Sequence, residues 1–320
     1  MKIALRVDRS LILVVVCLVL LSGCAQKAKT VAFTPPIDRH ASEELEENKL
    51  NNLPLETLVA RGEVYMAQGK LPLARLHYLK ALDLAPESAD IHTRLGRLFL
   101  KAGQTDQAGS AFANALELEP DSIKALVGAG KTSRLRGKGQ EAEEFFHRAL
   151  LIRPEDPEVL TELAICYDAN GKQAQAEMLY RRVTELLPDN SSAFNNLGFN
   201  YLLQEKYPEG VGAFQEALMR APRDQRVQNN LAAACILSGN EGQGLALFEN
   251  TVGQAGAYNN VGYIYLVQKK WAKAEKAFAK ALELSPDYYV KAGRNLDHLK
   301  ALHAGQSENA TGQSGYRDLN

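Results

Sequence analysis

The sequence predicts an all-α fold, a solenoid of about seven helix-turn-helix repeats ending in a C-terminal capping helix, and three observations predict it. Prolines recur at Pro86, Pro120, Pro154, Pro188 and Pro222, always 34 residues apart. Small residues keep the same step at Gly62, Gly96, Gly130, Ala164, Gly198 and Ala232. Bulky aromatics keep it as well, at Tyr78, Phe112, Phe146, Tyr180, Phe214 and Phe248. A fixed period of this length marks stacked supersecondary units in place of one globular core.

The order of these features within a period places the helices. Turn glycines Gly69, Gly103, Gly137, Gly171 and Gly239 lie between the small residue and the aromatic, where a first helix ends and a second begins. Alanines Ala74, Ala108, Ala142 and Ala176 precede the first four aromatics by four residues, which puts both on one face of the second helix. Copies then run over 55–88, 89–122, 123–156, 157–190, 191–224, 225–254 and 255–288. The sixth departs from the pattern: Ala232 to Gly262 is 30 residues, four short, with no proline. Four residues are close to one helical turn, so the expectation is a shortened helix whose faces stay in phase. Gly242, Gly244, Gly253 and Gly256 lower helix propensity there and make this copy the weakest of the array. The seventh recovers the pattern in Gly262, Tyr265, Ala274, Phe278, Ala281 and Pro286, and Tyr288 to His303 reads as the helix that covers the last apolar face.

The copy carrying Leu95-Gly96, Phe99, Ala108, Phe112, Ala115 and Pro120 resembles the tetratricopeptide repeat. The resemblance implies a protein-binding scaffold whose first helices line a concave groove.

The flanks read differently. Lys2, Arg6 and Arg9 precede an apolar run from Leu11 to Leu21, about half the length of a spanning helix, which ends in Leu21-Ser22-Gly23-Cys24. The small residues before that cysteine resemble a bacterial lipobox, the alternative being an ordinary secretory signal. The resemblance implies a signal peptide over 1–23, cleavage before Cys24 and acylation of Cys24, an anchor stronger than a single acyl chain. Ala25, where an aspartate is associated with inner-membrane retention, implies the outer membrane, with the body facing the periplasm. Residues 24–52 are polar and charged, and as a flexible tether would span roughly 30 Å. The repeat domain is expected over 53–303 and a disordered tail over 304–320.

Charge is nearly balanced, 37 basic residues against 38 acidic, so there is no global attraction to nucleic acid. Ala125 to Thr132, Ala-Leu-Val-Gly-Ala-Gly-Lys-Thr, reads close to a phosphate-binding loop, but Gly130 occupies the small-residue place inside a first helix. The histidines make no pair at metal-binding spacing, and no Cys-x-x-Cys is present. Cys166 and Cys235 read as small buried hydrophobes. No enzyme activity, cofactor, metal or small-molecule substrate is therefore expected.

Two stretches of the first-helix face are candidates for binding a protein. Asn196 recurs as Asn230 and Asn260, flanked by Phe199 and Tyr263. A carboxamide both donates and accepts, which suits an extended peptide backbone, although the same groups can bond across neighbouring repeats. Toward the N-terminus the face carries Arg94, Arg97, Lys101, Lys124 and Lys131, which either attracts an acidic segment or is an ordinary solvated face.

Arg226-Val227-Gln228-Asn229-Asn230-Leu231-Ala232, Asn259-Asn260-Val261-Gly262-Tyr263 and Arg294-Asn295-Leu296 resemble the TadD family of the tight-adherence (Flp) pilus machine. That resemblance implies an outer-membrane lipoprotein that helps a secretin or another secretion component assemble or localise. A second class, lipoprotein adaptors of peptidoglycan-remodelling enzymes, shares the repeats and the signal. Cys24→Ser should release the protein from membranes; a variant that still sedimented with the outer membrane and incorporated palmitate would refute the anchor.

Overall fold

The computed structural model describes residues 53–285, 290 and 292–300. Regular structure among the described residues is helical: α1 (Leu55–Ala67), α2 (Leu71–Leu84), α3 (Ala89–Lys101), α4 (Thr105–Leu118), α5 (Ile123–Leu135), α6 (Gly139–Ile152), α7 (Pro157–Ala169), α8 (Gln173–Leu186), α9 (Ser191–Leu203), α10 (Tyr207–Arg220), α11 (Gln225–Leu237), α12 (Glu241–Val267) and α13 (Trp271–Leu284). First helices begin at 55, 89, 123, 157, 191 and 225, where the spacing puts them. The chain divides into two compact units, one ending at Leu186 and the other beginning at Leu187. Cys24, the tether and the tail lie outside the described residues. Among the described residues no helix is long and apolar enough to cross a membrane.

At four repeat boundaries a residue two places after the periodic proline caps the next first helix; Ser122, at the same place, makes no such bond. Asp156, Asn190 and Asp224 each accept two amide N–H groups from the first turn of the following helix, and Ser88 accepts one. Such caps satisfy donors that a helix start otherwise leaves unpaired. The second boundary, between paired helices, is a left-handed residue. Gly69, Gly103, Gly137, Gly171 and Gly239 have φ of 72, 73, 74, 77 and 93°. Glu205 and Lys269 occupy the same place in the fifth and seventh repeats at φ 61 and 57°. The turn geometry therefore outlives the glycine that favours it.

Packing inside a repeat is a small residue pressed on an aromatic. A Cβ added at Gly96 would stand 2.7 Å from the Phe112 ring, and one at Gly130 would stand 2.6 Å from Phe146. Gly198 and Gly262 meet Phe214 and Phe278 in the same way. These aromatics are fully buried, as are the alanines Ala74, Ala108, Ala142, Ala176, Ala217, Ala274 and Ala281 on the second helices. Where the aromatic is a tyrosine, a carboxylate takes its hydroxyl: Tyr78 donates to Glu63 at 2.8 Å. Burial, and then Glu63, raises the Tyr78 pKa, so the phenol stays protonated and remains a donor.

The shortened sixth copy is built differently from the sequence expectation of a shortened helix. α12 has 27 residues, the length of one second helix of 14 and one first helix of 13. What has been lost is the connection between them. The four residues that elsewhere carry the proline and the cap are replaced by a single kink at Gly253, φ 75° and ψ 170°. That conformation is accessible essentially to glycine alone. At the other end, residues 292–300 are helical, and Leu296 and the buried Leu299 pack on the cluster formed by Phe248, Val261, Ile264 and Phe278. This is the cap that stacked repeats require.

Two glycines in adjacent repeats should respond oppositely to alanine. Gly253→Ala should lower stability by about 1–3 kcal/mol, because the new side chain meets a backbone it cannot adopt. Gly212→Ala, in α10 with open space around the added Cβ, should raise stability by about 0.5–1 kcal/mol. Urea unfolding of both variants checks this; equal changes would show that Gly253 is not the constrained position.

Candidate protein-binding site

In the C-terminal unit, first helices α9 and α11 pack against each other, so equivalent positions fall side by side. Asn196 and Phe199 are half-buried on α9, and Tyr263 is half-buried on the second half of α12. Phe199 leans on the cluster of Leu202, Phe214, Leu231, Ala234 and Cys235, which holds its ring in place. Tyr263 leans on the next cluster, and Leu237 packs on both. The apolar parts of this face are therefore anchored from below, while their upper surfaces remain open.

The three predicted asparagines divide. Asn230 is 3% exposed, and its Nδ2 donates to Asn195 Oδ1 at 2.7 Å. Its Oδ1 is buried and unpaired. Asn230 thus serves the contact between repeats, the use that periodicity left open. Asn260 is 6% exposed, and neither it nor Asn196 makes a side-chain hydrogen bond to a described residue. Behind these lies a second row that sequence reasoning missed: Asn195, Asn229 and Asn259. Asn229 accepts from Thr251, and Asn259 accepts from Asn295 at 3.0 Å. The signal was available, since each is the residue before a predicted one and repeats with the same steps of 34 and 30.

The N-terminal unit uses its first-helix face for ion pairs. Arg94 bonds Asp90 at 2.7 Å and pairs with Glu63, which Arg97 approaches at 3.8 Å. Lys101 donates to the Met66 carbonyl at 2.8 Å, at the C-terminal end of α1, where a cation is favoured. Lys131 lies 3.0 Å from Glu158 and 3.2 Å from Glu162, which also takes Arg134. Burial alone would push the Lys131 ammonium down; Glu162 and Glu158 outweigh it and raise the pKa. Lys124 is exposed and has no ion pair with a described residue. Much of the predicted basic patch is answered by carboxylates of the preceding or following repeat.

The other chemical candidates resolve into packing. Residues 125–132 lie within α5; Gly128 and Gly130 are buried against Phe112 and Phe146, so their backbone amides belong to a helix. Cys166 and Cys235 are free and buried, and burial pushes both thiols up, away from the nucleophilic thiolate. Among the described residues no group of three His, Cys, Asp or Glu side chains could hold a metal ion.

Family models described as "TPR repeat" and "Tetratricopeptide repeat" match residues 62–103, 93–157, 134–197 and 255–288. The chain is a tetratricopeptide-repeat protein. Comparison with curated protein sequences finds no match. Among solved structures, it is similar to a tetratricopeptide repeat protein from Parabacteroides merdae, at 20% identity and TM-score 0.57, over 77% of this chain and 98% of that one. It is also similar to PilW, titled a widely conserved type IV pilus biogenesis factor, at 18% identity and TM-score 0.58, over 61% and 91% of the two chains. A third, Pseudomonas aeruginosa pilF, has 16% identity and TM-score 0.54, over 64% and 91%. At these identities the likeness concerns the fold alone. The tetratricopeptide repeats make the chain a scaffold suited to protein–protein interaction.

The two rows of asparagine should separate by experiment. Asn195→Ala leaves the buried Asn230 amide without its acceptor and should cost about 1–3 kcal/mol. Asn196→Ala removes no partner and should stay within about 0.5 kcal/mol of the parent. Chemical denaturation measures both; matching losses would mean that the rows are not functionally distinct.

Proposed function

We propose that this protein is a lipid-anchored scaffold that holds a segment of a partner protein on the first-helix face of its fifth to seventh repeats. In this reading it helps a pilus or secretion apparatus, such as its outer-membrane secretin, to assemble or localise. The observation that carries the proposal is the difference between the two faces. Around Arg94 and Lys131 the polar groups are satisfied within the chain, whereas the half-buried Asn196 and the largely buried Asn260 make no side-chain hydrogen bond to a described residue and lie one turn from Phe199 and Tyr263. A carboxamide next to an open aromatic offers a backbone both a donor–acceptor pair and apolar contact. Support for the pilus setting comes from the TadD resemblance, from the lipobox-like sequence ending at Cys24, and from the structural likeness to PilW, a type IV pilus biogenesis factor, and to pilF.

Each rung contributes modestly, about 0.5–1.5 kcal/mol net per hydrogen bond, so single substitutions should weaken capture only slightly. Asn196→Ala, Asn260→Ala and Tyr263→Ala combined should abolish co-purification of the secretin and piliation while circular dichroism stays unchanged. Wild-type capture by that triple variant would overturn the groove. Loss of a cell-wall hydrolase in place of the secretin would move the protein to the adaptor class.

A further inference from the structure

An open cleft is lined by the second helices of the sixth and seventh repeats and floored by core residues of α11 and of the second half of α12, without any of the candidate residues Asn196, Phe199, Asn260 or Tyr263. Its volume is about 680 Å³, within the range of ligand-sized pockets. The floor is apolar: Ile236, Val261, Tyr265 and Ala277 are each at least nine-tenths buried, with Leu245 and Tyr258 as half-buried walls. One rim is α13, which presents Lys273, Lys276 and Lys280 at spacings of three and four, a single helical stripe. Ala279 is exposed on the same rim.

The charge on this rim is only partly answered. Lys273 pairs with Glu241 at 2.7 Å across the cleft, and Lys280 pairs with Glu283 at 2.8 Å along its own helix. Lys276 has no ion pair with a described residue, and Lys269 and Lys270 add positive charge just before the helix starts. Lys270 and Lys273 both stand over the Tyr265 ring, at 5.8 and 5.2 Å from its centre. Lys270, which has no ion pair with a described residue, is held over that ring without being neutralised.

We infer that this cleft on the second-helix side is a separate docking site for an acidic amphipathic peptide segment of a partner protein, its apolar side chains in the cleft and its carboxylates on the Lys276 rim. The apolar floor calls for leucine- or phenylalanine-sized anchors, and a surplus of lysines favours glutamate or aspartate around them. Concavity selects a peptide over an anionic lipid surface: a flat bilayer meets the lysines but leaves the floor unfilled. The site shares no residue with Asn196, Phe199, Asn260 or Tyr263, so one scaffold would hold two segments at once.

Fluorescence anisotropy on the full chain tests this, with a labelled amphipathic peptide carrying glutamates on one face and leucine and phenylalanine on the other. The control is the same peptide with lysine for every glutamate. The acidic peptide should bind and weaken as salt rises, as expected for exposed charges, and the lysine peptide should not bind. Lys276→Glu reverses the unanswered charge, and Ala279→Trp fills the cleft from an exposed position, so that neither disturbs the core. Each should weaken binding about tenfold, while Asn196→Ala leaves it unchanged. Equal binding of both peptides, or undiminished binding by both variants, would overturn the inference. So would cosedimentation with phosphatidylglycerol vesicles that the acidic peptide fails to displace.

Discussion

Everything in this fold depends on how closely two helices approach at one point in each repeat. A glycine or alanine on the first helix lets an aromatic of the second press close against it, as Gly96 does for Phe112 and Gly130 for Phe146. The aromatic is then fully buried, as is the alanine one turn before it. Interiors packed to this density tolerate no added methyl group without displacement. Once that spacing is fixed, the faces of both helices are fixed as well, and the outward residues fall into rows from one repeat to the next.

Those rows serve the stack in different ways in the two units. Glu63 gathers Arg94, Arg97 and the Tyr78 hydroxyl, and Glu162 gathers Lys131 and Arg134, so charge links one repeat to its neighbour. In the C-terminal unit the places of Arg94 and Glu162 are taken by Asn196, Asn230 and Asn260 and those of Glu63 and Lys131 by Phe199 and Tyr263, and an amide pair, Asn195 with Asn230, joins neighbouring repeats there. Exposed ion pairs contribute little and weaken with salt, whereas a buried amide pair is costly to break from one side. Asn196, half-buried and without a side-chain hydrogen bond to a described residue, is the carboxamide of this row that the stack leaves unused.

The sixth repeat shows how a periodic structure absorbs a loss. Removing four residues takes away the proline and the N-cap, not a turn of helix, and Gly253 joins the two helices directly. Neighbouring contacts persist: Gly244 still packs on Ile236, and Phe248 is fully buried. The seventh repeat follows in register, with Gly262 on Phe278 as in the earlier copies.

Several features of this protein were legible in the sequence because they follow from geometry internal to one repeat. The 34-residue step, the places where first helices start, the small-residue and aromatic contact and the helical position of Gly130 all repeat, and a repeating cause leaves a repeating trace. The caps Asp156, Asn190 and Asp224 were equally regular, two residues after each proline, and could have been read there. Tertiary structure alone decided which polar groups are spent. Asn196 and Asn230 are the same residue at equivalent positions, yet one is half-exposed and the other buried against Asn195. Arg94 and Lys131 look free in sequence and meet Glu63 and Glu162 some thirty residues away. A side chain's periodicity fixes its direction from its own helix axis, but its partner is set by the distance and crossing of two helices, and that relation has no local signature.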